Sequence, residues 1–141
     1  MPDSNRAATT LVRARSTRCL GELLDAAHIT PDSEDEGDPV VTNGVALCKL
    51  HHAAFDRFFF AIRPDYVIEV RPSILRETDG PMLIVGLQQI HGQRIHLPRR
   101  ERDLPDRQRL ERRFEDFRQA AGSENEPNSY QLGDSKTIGA K

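Results

Sequence analysis

The stretch NGVALCKLHHAAFD, Asn43 to Asp56, sets a cysteine, two adjacent histidines and an aspartate on an otherwise apolar ribbon, which is more metal-binding groups than packing requires. Upstream, His28 ends the apolar run GELLDAAHI. On a helix His52 and Asp56 fall one turn apart, and Asn43-Gly44 is the dipeptide best suited to a tight turn. A strand histidine, a turn and a helix bearing His52 and Asp56 can be aimed at one spot, leaving coordination positions open for a divalent cation and a phosphate. Phosphodiester hydrolysis uses that set: a base to activate water, and a cation to offset charge on the phosphate and the leaving oxygen. Neutral imidazole, with a reference pKa of about 6.5, suits the base near neutral pH.

Each group also has a structural reading. His28 taken alone fits a satisfied core histidine. His52 with Asp56 fits an exposed i,i+4 pair worth a few tenths of a kcal/mol. Cys48 fits a small buried apolar side chain. His91 and His96 fit surface positions, and the acids from Glu34 to Asp38 fit a solvated loop.

The elements that must position these residues predict an α+β fold. GELLDAAHI is strand-like, TPDSEDEGDP an exposed loop, and VVTNGVALC two short extended pieces around Asn43-Gly44. KLHHAAFDRFF predicts an amphipathic helix with Leu50, Ala54 and Phe58 on its core stripe. Pro64 ends that element, and DYVIEV is a strand stopping at Pro72. PMLIVGLQQIHG predicts a short helix, with Pro81 at its first position and Gly92 after its end, and RIHL a last strand. In DRQRLERRFEDFRQAA, Leu110, Phe114 and Phe117 recur at helical spacing and predict a closing helix.

LLDAAHITPDSEDEGDPVVTNGVALCKLHHAAFDRFFF, with its Ala-Ala-His-Ile, Asn-Gly and His-x-x-Phe-Asp motifs in that order, resembles the HNH endonuclease superfamily, in particular its bacterial members. The three defining positions fall at His28, Asn43 and His52. The resemblance implies a ββα-metal (His-Me finger) core and metal-dependent endonucleolytic cleavage of DNA. His28 would be the general base, His52 a ligand of the catalytic magnesium or manganese, and Asn43 the residue that fixes the turn and holds His28. Asp56 would complete or orient the metal site. Many relatives carry an acid directly before the first histidine; here that place is Ala27, with Asp25 two residues earlier. Cys48-x-x-His51 matches half of the structural zinc site of many relatives, and upstream only Cys19 is present, three ligands where four are usual. Zinc therefore stays an open alternative, with Asp25 a candidate substitute ligand. So does a second class of function: a degenerate, non-cleaving HNH scaffold that binds nucleic acid or another protein.

The net charge of −2 conceals segregation. Residues 22–39 carry seven acids and no Lys or Arg, the first 20 residues four arginines against one acid, and residues 99–118 eight arginines against six acids. Whole-chain charge gives no general attraction to phosphate, so DNA contact must come from local patches such as Arg57, Arg63 and Arg99. The Arg-rich 99–118 segment equally fits a salt-bridged solvated face. No apolar run approaches the roughly 18 residues that span a bilayer, and no apolar signal block opens the chain, so a cytoplasmic protein with reduced thiols is expected. The expected organisation is a flexible arm (1–18), an HNH core (19–63), a small mixed α/β extension with the closing helix (64–121) and a disordered tail (122–141). A homodimer or an accessory protein partner is compatible with one small site acting on duplex DNA.

Overall fold

The computed structural model describes residues 24–31, 37 and 40–123, so the expected arm, Cys19, most of the acidic loop and residues 124–141 lie outside it. Strand β1 (Leu24–His28) pairs antiparallel with β2 (Gly44–Cys48), with Leu24 opposite Cys48 and His28 opposite Gly44. Helix α1 (Lys49–Asp56) follows β2 without a linker. A second antiparallel pair, β3 (Phe60–Ile62) with β4 (Ile68–Val70), is extended by residues 92–95, which bond to Ile68 and Tyr66. Helices α2 (Pro72–Arg76) and α3 (Pro81–Gly86) each begin on proline, whose fixed φ and missing N–H suit a first helical position. Helix α4 (Arg107–Ser123) is capped by Asp106, whose Oδ1 accepts the Arg109 N–H at 2.9 Å. Among the described residues no helix is long and apolar enough to cross a membrane.

One apolar core joins these pieces. Ala27, Val45 and Leu47 of the first hairpin meet Ala54 and Phe55 of α1, Phe60 and Ile62 of β3, and Leu110 of α4. Phe55 and Phe60 are fully buried with ring centroids 5.6 Å apart, and burial of each stabilises by about 1.5–3 kcal/mol. Because α1 is clamped between the two hairpins, its side chains are fixed relative to β1.

Several sequence expectations are corrected. Asn43-Gly44 is not the tip of a two-residue hairpin: Val41–Asn43 form a 3-10 turn and Gly44 already starts β2. The Asn43 amide is thereby turned inward. The buried face of α1 is His51, Ala54 and Phe55, whereas Leu50 is 39% exposed. Phe58 lies beyond the helix, at φ 55, where the Phe59 N–H reaches back to Ala54 O at 2.9 Å and stops the coil, freeing residues 60–62 to form a strand that the pattern did not reveal. RIHL forms no strand of its own: Arg94 bridges Val67, and the Ile95 N–H donates to Tyr66 O at 3.0 Å. On α4 the residue buried between Leu110 and Phe117 is Arg113, and Phe114 is half-buried. The helix continues through Gly122 and Ser123, where the tail was expected to begin.

Candidate functional site

The start of α1 lies over the start of β1, because β2 ends at Cys48 opposite Leu24 and the helix begins at the next residue. Lys49 and His52, one turn apart, therefore both reach Asp25. Lys49 Nζ donates to Asp25 Oδ1, and His52 Nδ1 lies 3.1 Å from Asp25 Oδ2. On the other side of the ring, His52 Nε2 is 3.4 Å from Asp56 Oδ2. A carboxylate can only accept, so Nδ1 carries the proton of the Asp25 contact and Nε2 is left to face Asp56. His52 and Asp25 are each roughly one-quarter exposed, which leaves the site open to solvent.

The Lys49 ammonium, and after it the His52 ring, hold the Asp25 carboxyl below its ordinary value of 3.8. The folded carboxyl thus binds its proton less readily than the unfolded one. The stabilisation is complete above 3.8 and is lost as pH falls through the lowered folded value. Urea titrations repeated across the acid range should show wild type losing stability more steeply with falling pH than Asp25→Asn; equal slopes would contradict the ion-pair assignment.

His28 stands three residues along β1 from Asp25, half-buried at the strand end, opposite Gly44, which presents no side chain. Asn43 is fully buried and grips the chain just beyond it. Its Oδ1 accepts the Thr30 N–H at 2.8 Å, its Nδ2 donates to Thr30 O at 3.1 Å, and its own carbonyl accepts the Ile29 N–H at 2.9 Å. The two ends of the acidic loop are pinched together there.

Cys48 and His51 form a separate group. His51 is 4% exposed; its Nε2 lies 2.6 Å from Gly86 O, and since a carbonyl only accepts, the proton is on Nε2 and Nδ1 takes the Cys48 Sγ contact at 3.2 Å. Both ring nitrogens are satisfied, which removes the cost of burying the ring and explains why His51 rather than Leu50 faces inward. A Cβ at Gly86 would meet Leu50 Cδ2 at 3.1 Å, so any side chain there would have the end of Leu50 give by a few tenths of an ångström. Cys19, the third candidate zinc ligand, lies outside the described residues, and Asp25, offered as a substitute, is engaged with Lys49 and His52 instead.

Residues 7–63 match the family model described as HNH endonuclease. This segment belongs to the HNH endonuclease superfamily. His28, Asn43, Cys48, His51, His52 and Asp56 all fall within it, and the family description points to nuclease-type chemistry. No curated protein and no solved structure matches the chain. HNH nucleases generally use a divalent metal ion, so the fit of the HNH segment to one can be tested on its donors. Among the described residues no group of three or more His, Cys, Asp or Glu side chains converges to hold an ion, because Asp25 and Asp56 face opposite nitrogens of His52. The pair His52 Nε2 and Asp56 Oδ2 does fit: ligands about 2.1 Å from one small cation lie roughly 3.0–3.4 Å apart. A cation with few protein ligands and several waters is the usual habit of magnesium. With an ion held there, Asp25 would have the place of the outer carboxylate that fixes a ligating imidazole. The link from Asp25 to His52 depends on strand register, the pairing of Leu24 with Cys48, which the local sequence pattern does not carry.

Proposed function

We propose that this chain is a metal-dependent endonuclease that hydrolyses DNA phosphodiester bonds, with β1, β2 and α1 as its ββα-metal unit. The observation that carries this reading is His52, held by Asp25 through one ring nitrogen and facing Asp56 with the other, inside a segment matched to the HNH endonucleases. His52 Nε2 and Asp56 would hold magnesium or manganese, and the bound ion would offset charge on the scissile phosphate and the leaving 3′-oxygen. His28 would take the proton from the attacking water. Asn43 holds the segment that follows His28, so that the base is presented from an ordered strand end rather than a loose loop. Arg57 and Arg99 are exposed and suited to backbone phosphates; Arg63 pairs with Asp65 at 2.8 Å and would exchange that partner for a phosphate. The structural zinc is not part of this proposal, since Cys48 and His51 are accounted for by their contacts with each other and with Gly86.

The test is conversion of supercoiled plasmid to open circle by the purified full chain in magnesium or manganese. Nicking that stops when the metal is chelated is expected. Nicking unaffected by chelation would contradict the metal role of His52 and Asp56.

A further inference from the structure

The most deeply placed charge among the described residues is on the closing helix, outside the segment matched to the family. Arg113 is 8% exposed, and its guanidinium donates to two backbone carbonyls that belong to different elements: Ile29 O at 3.2 Å and Phe55 O at 2.8 Å. Ile29 directly follows His28, and Phe55 directly precedes Asp56. The same guanidinium lies over the Phe55 ring, 3.9 Å from its centroid, and 4.9 Å from that of Phe58, the residue held at positive φ past the end of α1. A planar fork with several donors can bridge two carbonyls and stack on two rings at once; an ammonium on a flexible stem cannot.

We propose that Arg113 is a positioning residue for the cleavage site, setting the separation between the strand end that carries His28 and the helix that carries His52 and Asp56. This rests on the endonuclease reading given above. The extension is then part of the catalytic architecture rather than an appendage, because α4 ties the base side of the site to the cation side from beneath. A shift of about 1 Å between a base and the reacting phosphate is enough to cost on the order of 100-fold in rate.

The test uses the full chain with Arg113→Lys and Arg113→Met, the first as the variant that keeps the charge and is more apt to fold. Two readouts are taken under conditions where each protein is folded. In the first, the ring signals of the five histidines are followed by NMR. The His28 and His52 signals are expected to move in both variants while those of the exposed His91 and His96 stay in place; unmoved His28 and His52 signals overturn the proposal whether or not the protein cuts DNA. In the second, plasmid nicking by the variants should show kcat reduced by about 10- to 100-fold with the half-saturating DNA concentration unchanged, and Lys less impaired than Met. An unchanged kcat per folded molecule, or a loss confined to DNA binding, also overturns it. Absence of nicking by wild type would instead strike the endonuclease reading, leaving the histidine signals to decide the positioning role.

Discussion

Asn43→Ala is expected to lower the stability of the fold by about 2–5 kcal/mol. The side chain is fully buried and makes two hydrogen bonds to one residue, Thr30, whose own exposure is only 6%. Truncation would leave a backbone N–H and a C=O of Thr30 without those partners in a place water hardly reaches, at roughly 1–3 kcal/mol for each group left unsatisfied. Against a total stability of about 5–15 kcal/mol for an ordinary domain, the loss is a large fraction. Urea unfolding should show the midpoint falling at nearly constant slope. Asn43→Asp would separate the two bonds, since a carboxylate still accepts the Thr30 N–H but cannot donate to Thr30 O. A loss below about 0.5 kcal/mol for the alanine variant, the size typical of an uninvolved surface site, would show that Asn43 is not what pinches the loop.

His28→Ala should remain folded and lower nicking by about 10²–10⁴-fold, the usual contribution of a positioned base. The strand end is held by backbone pairing with Gly44 and by the grip of Asn43 on Thr30, none of which needs the imidazole. The weight of the core is carried by Phe55, Phe60, Ile29 and Leu47. Matching circular dichroism and urea midpoints alongside the activity measurement would separate loss of the base from loss of the fold.

The strand ending at His28, the strand before Cys48 and the helix with His52 and Asp56 at i,i+4 are legible in residues 23–60 because each carries its own local signal, whereas the Asn-Gly sign of a tight turn misleads, since Gly44 already belongs to β2. The helix α4 is legible from Leu110 and Phe117 for the same reason. What stayed hidden depends on partners distant in sequence. His51 faces the core only because Gly86 O and Cys48 satisfy its ring, and Arg113 is buried only because the carbonyls of Ile29 and Phe55 receive it. An arginine among eight on one segment gives no local sign that it differs from its neighbours. β3 was hidden by a run of phenylalanines that continues the helical pattern until Phe58 takes a positive φ. Asp25 was visible as an acid near the first histidine, but its role beside His52 follows from strand register, which a single chain read residue by residue does not disclose.

The most direct measurement compares wild type and His28→Ala, both shown to be folded, in conversion of supercoiled plasmid to open circle with magnesium or manganese present. Wild type is predicted to nick and the variant to fall to the background of buffer alone. Equal activity in the two, or no nicking by folded wild type, would contradict the endonuclease assignment and leave the segment as an HNH scaffold that binds without cutting.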